Sequence, residues 1–345
     1  MHQSAQLPDS NGMHRGLLLR LHSAGRWLSG HNRWWWCVNF NKGTISHTIG
    51  MIVFWCFAQL LLVMAAVQLM GQNRWRHAAS ILVLAAAWLL PLAAPAIPLM
   101  RALMAAVAIL ALVKVVQLAQ QPESDRWAPL KRLWHGLAPF DVSSAQRVAS
   151  SVDRGSVLAA LLHAGLALLA LTALAHLPRE SGVGINLARL GLGGTLVYCG
   201  MEAICEILRA LHLWAGFKVP PIQRNPIMSQ SIREFWSERW NLPVSGWLES
   251  MVFRPVNERV GPGAAVMAAF GVSGLLHGWM FLVSIGFMGA LLATGFFLFN
   301  GLFVLVETTI RVRRFTPIQR RMWTLGMLGL VSPLYIEPAL QLLGL

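Results

Sequence analysis

Apolar residues along this chain come in long unbroken runs, without the alternation of a half-buried strand. Runs near 46–70, 78–93, 96–118, 155–177, 187–212, 262–285, 286–307 and 322–344 approach the length of about 20 residues that a helix needs to cross about 30 Å of hydrocarbon. A membrane β-barrel requires short segments alternating apolar and polar side chains, and continuous runs lack that signature. The pattern predicts an all-α polytopic membrane helical bundle of about eight transmembrane helices, bounded by seven and nine. Between the second and third runs, Pro91, Pro95 and Pro98 mark either a tight turn between two helices or a kinked, re-entrant piece.

Composition agrees with that class. Of 345 residues, 56% are hydrophobic and 12% charged, too little charge for a soluble surface. Basic residues gather between the runs: Arg126, Lys131, Arg132, Arg147 and Arg154 after the third, Lys218, Arg224, Arg233, Arg239, Arg254 and Arg259 after the fifth, and Arg311, Arg313, Arg314, Arg320 and Arg321 after the seventh. With eight spans these loops share one side, which the positive-inside rule makes cytoplasmic. The N-terminal tail carries Arg15, Arg20, Arg26, Arg33 and Lys42 and opposes that assignment. Residues 1–44 read as a basic tail whose segment 13–28 suits an interfacial helix. Residues 45–345 read as a single membrane-embedded domain.

The net charge of +14 follows mostly from loops lying near anionic lipid. A smaller share is available for the phosphates of an anionic cosubstrate. Scattering of the basic residues among loops argues against nucleic acid. Cys37, Cys56, Cys199 and Cys205 have neither metal-ligand nor disulfide spacing, so no metal site is expected.

Polar chemistry concentrates in the region 219–307. From Val219 the chain reads Pro-Pro-Ile-Gln-Arg-Asn-Pro, which cannot be regular helix. Ser231 then begins Ser-Ile-Arg-Glu-Phe-Trp-Ser-Glu-Arg-Trp-Asn, ending at Asn241. Ser231 and Glu234 have capping-box spacing, and a short interfacial helix carrying Phe235-Trp-Ser-Glu-Arg-Trp-Asn241 is predicted. On it Phe235, Trp236 and Trp240 form an aromatic surface, while Arg233, Glu234, Glu238 and Arg239 are placed for i,i+3 and i,i+4 pairs. Downstream, His277 stands alone in an apolar run, where an ionisable group is expensive and marks a functional site. Glu202 and Glu206 share one face of the fifth span one turn beyond Tyr198. They either line a cavity or form a structural network with a partner such as Arg209. His163 and His176 have no such context and are read as structural.

Asn225-Pro226 followed by the Ser231–Asn241 segment resembles the Phe-Trp-x2-Arg-Trp-Asn signature of the wax synthase branch of the membrane-bound O-acyltransferases. Val252-Phe253-Arg254-Pro255-Val256 resembles the segment that follows it. Val272-Ser-Gly-Leu-Leu-His277-Gly278 is similar to the block carrying the family histidine, and Phe296-Phe-Leu-Phe-Asn300-Gly301 with Glu307 to a third block. Two positions depart from that pattern: Gly278 stands where eukaryotic wax synthases usually have an acidic residue, and Asn300 where many have a histidine. The resemblance implies transfer of a fatty acyl group from acyl-CoA to the hydroxyl of a lipid alcohol. Acyl-CoA is then a cosubstrate, and no permanently bound cofactor is expected.

Thioester-to-hydroxyl transfer needs a base for the hydroxyl proton and a donor for the developing oxyanion. His277 suits the first role. Asn241 suits the second, or orients substrate. Ser273, one turn before His277, keeps a Ser–His nucleophilic pair open. Arg233, Arg239 and Arg254 are candidates for the CoA phosphates, with Phe235, Trp236 and Trp240 as further substrate-binding candidates. Glu202, Glu206, Ser273, Asn300 and Glu307 are cavity-lining candidates. The alternatives are a sugar, glycan or secondary-metabolite acceptor, or a transporter or lipid-binding protein in which His277 and the paired glutamates relay protons. Charges spread over several spans and repeat symmetry, which transport predicts, are not evident.

Overall fold

The computed structural model describes residues 42–71, 73–178 and 182–345. Residues 1–41 of the basic tail, with the proposed interfacial helix 13–28 and Cys37, fall outside that set, whereas residues 42–44 of the tail belong to the first helix. Helices α1 (Lys42–Leu69), α2 (Arg74–Ala93), α3 (Pro98–Ala119), α4 (Pro129–Leu137), α5 (Arg154–His176) and α6 (Val183–Trp214) precede the motif region. After it come α10 (Pro262–Ile285), α11 (Phe287–Thr309), α12 (Pro317–Val331) and α13 (Pro333–Leu342). Among the described residues seven helices are long and apolar enough to cross a membrane, and α12 with α13, bent by 52°, brings the number to eight if the pair is one span. The protein is an all-α polytopic membrane bundle.

The prolines settle the ambiguous second and third spans. Pro91 is buried inside α2, and Pro98 opens α3, where its missing N–H costs nothing. The turn between them is sealed by Arg101, whose guanidinium donates to the Ala94 carbonyl at 2.6 Å and to that of Pro95 at 3.2 Å. A cation at a helix C-terminus satisfies carbonyls that the helix leaves orphaned. This is a tight turn between two helices. The run expected near 322–344 is a pair of helices: Pro333 removes the backbone donor needed to continue α12, and the helix restarts at a new angle.

Val63, Ala66 and Val67 of α1 interlock with Leu84 and Ala87 of α2 and Ala111 and Val115 of α3. Helices α10 and α11 form a hairpin through Gly286, and α5 packs on α6. The short α13 touches α3, α6, α10 and α11. It anchors through Ile336 and Leu340 against Leu174 of α5. Gly274 and Gly278 let α11 approach α10 closely: a Cβ at 278 would stand 2.5 Å from Thr294 Oγ1 and 3.3 Å from the Ala290 carbonyl. An acidic side chain has no room there.

The polar excursions meet. Gln146–Arg147 pairs antiparallel with Phe217–Lys218, in register Gln146↔Lys218 and Arg147↔Phe217. The Arg321 guanidinium reaches the sulfur of Met228. The three basic loops therefore lie at one end of the bundle, as the count of eight spans requires.

Candidate functional site

The motif opens on a short α-helix, α7 (Ile232–Glu234), capped by Ser231, whose hydroxyl accepts from the Glu234 N–H at 2.9 Å. The reciprocal half of the expected capping box is displaced by one residue: the Glu234 carboxylate accepts from the N–H of Gln230 at 2.8 Å, not from that of Ser231. The chain then widens into a π-turn over Phe235–Arg239, closed by the Trp240 N–H on the Phe235 carbonyl at 2.8 Å. The expected i,i+3 and i,i+4 pairs do not form, because no opposite charges of this set stand three or four apart; the pair that forms is i,i+5, Arg239 Nε to Glu234 Oε1 at 2.6 Å. A π-turn brings residues five apart onto one face, and such turns frequently mark functional segments.

Arg239 also donates to the carbonyl of Arg224 at 3.0 Å, and the Arg224 N–H donates to the Arg239 carbonyl at 2.9 Å. The Leu242 N–H donates to the Ile222 carbonyl at 2.9 Å. The proline-rich segment is thus stitched to the far end of the motif, and Arg239 is spent on this clamp. Partial burial pushes the Glu234 carboxyl up, but the Gln230 N–H, Arg239 and Arg320 outweigh it and hold the group below the usual carboxylate range.

Glu307 of α11 holds the motif from below. Its carboxylate accepts from the N–H groups of Ile232 at 2.7 Å and Arg233 at 3.2 Å, and from Trp323 Nε1 at 3.0 Å. Carboxylate at a helix start with every contact a donor is a stable arrangement for a buried anion. Asn300, fully buried, accepts from Trp236 Nε1 at 3.0 Å and donates to the Phe296 carbonyl at 2.8 Å. Two of the cavity-lining candidates are therefore anchors that fasten the motif to α11.

His277 lies on α10. Its Nδ1 is 2.9 Å from the backbone carbonyl of Ser273. A carbonyl only accepts, so this bond places the proton on Nδ1 and leaves the lone pair on Nε2. The partner is the Ser273 carbonyl, not its hydroxyl, so the contact is not that of a Ser–His nucleophilic pair. The imidazole tilts over Phe297 at 4.3 Å, and Phe297 meets Trp236 at 5.5 Å. The histidine and the motif, far apart in sequence, share one aromatic wall.

Asn241 takes a left-handed conformation, φ 44° and ψ 57°, and its carbonyl accepts from Val244 and Ser245. Asparagine tolerates this region better than other non-glycine residues. Its side chain makes no hydrogen bond to the described residues and does not bond His277. Arg233 points outward, exposed and free of ion pairs among the described residues. Arg254 is exposed and pairs with Glu249 at 2.9 Å.

Trp240 stacks on Tyr198 at 6.2 Å, and Tyr198 faces Glu202. Glu202 and Glu206 line a cleft with Cys205, Phe140 and the 219–223 segment. Arg209 bridges Glu206 at 3.8 Å and Asp153 at 3.1 Å. Glu206 therefore pairs with Arg209, while both glutamates line this cleft. Their cleft opens by the motif's flank and is not lined by His277. Tyr335 and Trp323 were not anticipated from sequence, because nothing local distinguishes them from aromatic residues of an apolar span. Among the described residues no group of His, Cys, Asp and Glu is arranged to hold a metal ion.

Residues 219–299 match the family model described as the membrane bound O-acyl transferase family. The chain is similar to probable long-chain-alcohol O-fatty-acyltransferase 2 of Arabidopsis thaliana, 32% identical over 41% of this chain and 44% of that protein. It is similar to the long-chain-alcohol O-fatty-acyltransferase of Simmondsia chinensis, 31% identical over 35% of each. It also resembles acyl-CoA–sterol O-acyltransferase 1 of Arabidopsis thaliana, 32% identical over 33% of this chain and 36% of that protein. The chain matches less than half the length of each of these relatives.

Proposed function

We propose that this protein transfers a fatty acyl group from acyl-CoA to the hydroxyl of a lipid alcohol. The observation that carries the proposal is the orientation of His277: Nδ1 committed to Ser273, Nε2 left basic, in an aromatic wall continuous with the motif. His277 Nε2 takes the proton of the alcohol as its oxygen attacks the thioester carbon. The tetrahedral intermediate collapses, the C–S bond breaks, and the thiolate recovers that proton to leave as free CoA. No acyl-enzyme is required, and the protons balance. Asn241 supports the intermediate or orients substrate.

The basic end of the bundle is the cytoplasmic end in this reading, and acyl-CoA arrives there. Arg233 is the best-placed cation for its phosphates, since Arg239 is held by Glu234 and Arg254 by Glu249. The lipid alcohol arrives from the bilayer, where it is already concentrated.

Purified protein in detergent, given a long-chain acyl-CoA and a panel of fatty alcohols, a sterol, diacylglycerol and a glycoside, tests this by release of free thiol. Alcohol-dependent release that disappears in His277→Ala is expected. Release that persists in the variant sinks the assignment of the base, and preference for the glycoside moves the acceptor to a sugar.

A further inference from the structure

Tyr335 packs its ring against the His277 imidazole, and nothing in the reaction as written uses its hydroxyl. It sits in the first turn of α13, just after the break at Pro333. Its ring lies 5.9 Å from that of His277, at 67°, and packs against Phe281 at 5.5 Å, Phe296 at 5.2 Å and Phe297 at 6.1 Å. Four walls thus fix the ring, three of them purely hydrocarbon. The two rings that touch the imidazole are those of Phe297 and Tyr335, and only the second carries a hydrogen-bond donor.

Its hydroxyl bonds to none of the described residues. Tyr335 is half-buried, and its hydroxyl is not among the sealed polar atoms of the bundle, so the O–H is open to a substrate group. Packing alone would be served as well by phenylalanine, the residue at three of the neighbouring ring positions. The backbone also argues for deliberate placement: the 52° break at Ser332–Pro333 swings α13 inward against α10 and α11, and a straight continuation of α12 would carry residue 335 elsewhere.

We propose that Tyr335 is a further catalytic residue, whose phenol O–H donates a hydrogen bond to the thioester carbonyl oxygen as it becomes an oxyanion. When the alcohol oxygen bonds to the carbonyl carbon, the π pair moves onto that oxygen and the hydroxyl proton moves to His277 Nε2. The Tyr335 proton is shared with the oxyanion and stays on the phenol. Collapse restores the carbonyl, expels the thiolate and returns the His277 proton to sulfur. A donor already locked in place needs no reorganisation as charge develops, the circumstance in which such hydrogen bonds are worth most. Asn241, whose side chain also has an unspent donor, then acts on the substrate from the motif side.

The inference rests on the acyl-transfer reading above, and one experiment separates the two. Tyr335→Phe keeps the ring and its packing and deletes only the hydroxyl. Wild type, His277→Ala and Tyr335→Phe are compared for alcohol-dependent thiol release, with thermal unfolding as a check on the fold. The expected result is a fall in kcat of about 100-fold, KM for acyl-CoA within about twofold, and an unchanged unfolding temperature. An active wild type whose Tyr335→Phe variant keeps its kcat within about twofold overturns the inference alone. A rise in KM at constant kcat also overturns it, by assigning the hydroxyl to substrate binding in place of oxyanion stabilisation. A wild type that releases no thiol with any acceptor overturns the acyl-transfer reading, and the inference with it.

Discussion

The region around His277 and the region around His135 each enclose an imidazole, and they enclose it for opposite ends. His135, on α4, is 0% exposed. It lies between Trp127 and the buried Lys114, 3.7 Å from Asp141. Burial, reinforced by the Lys114 charge, outweighs the pull of Asp141 and holds its pKa down to about 4. Lys114 is itself tied to the Phe140 carbonyl at 2.6 Å, so the pocket is a closed polar knot that braces the first long loop against α3. His277 has one nitrogen fixed by a backbone carbonyl, a phenol and a phenylalanine beside it, and no charged neighbour bonded to it. Burial is complete at His135 and only partial at His277. What separates the two is that His277 has Nδ1 held by a backbone carbonyl, whereas neither ring nitrogen of the sealed His135 holds a hydrogen bond among the described residues.

Breaking the His277 side has the largest effect. His277→Ala is expected to lower alcohol-dependent thiol release by about 1,000-fold or more, in the range of a lost general base, with membrane insertion intact. His135→Leu, measured alongside, should retain most of the activity per folded molecule. Equal losses in the two variants would erase the distinction drawn here.

The His135 side is sharpened by pH. In the unfolded chain this ring titrates near 6.5, and in the fold near 4. Its contribution to stability is complete above pH 6.5 and is lost as pH falls from 6.5 towards 4, because there the unfolded chain binds a proton that the fold refuses. At about 1.4 kcal/mol per unit, that amounts to about 3 kcal/mol. Thermal unfolding in detergent between pH 7.5 and 4.5 should show the decline, and His135→Leu should flatten it. An unchanged slope in the variant would place the acid sensitivity elsewhere, with Glu234 the next group to examine, since its depressed pKa also withdraws stability on the acid side.

A smaller effect is expected at Glu307. In Glu307→Gln one carboxylate oxygen becomes an N–H group facing donors, at a cost of about 1–3 kcal/mol for a buried mismatch. We expect a lowered unfolding temperature, together with activity reduced by loosening of the motif. Full activity with full stability would show that the motif is held without α11.

The smallest effect distinguishes backbone from side chain at Asn241. Asn241→Gly keeps the left-handed conformation and deletes the amide, whereas Asn241→Ala adds a conformational penalty of about 1 kcal/mol. Both should lose activity to a similar degree, with the alanine variant alone less stable. A glycine variant with full activity would reduce Asn241 to a turn residue.

Much of this was legible in the residue order. Unbroken apolar runs are long enough to require helices across a membrane, because no other open structure satisfies its backbone in hydrocarbon. Loop charge and span parity placed the three basic loops together, and His277 and the Phe235–Asn241 segment stood out as chemistry in an apolar chain. Tertiary structure alone decided the rest. The π-turn brought Glu234 and Arg239, five residues apart, onto one face, a local geometry accompanied by the stitching of residue 224 to 239. Glu307 and Asn300 became anchors because α11 runs beneath the motif, and Glu202 faced a separate cleft because the 219–223 segment folds over α6. Tyr335 reached His277 only because Pro333 breaks the last span. Hydrophobic length acts locally along the chain, so sequence determines it; the partners of each buried polar atom depend on which helices meet, and only the packed bundle supplies them.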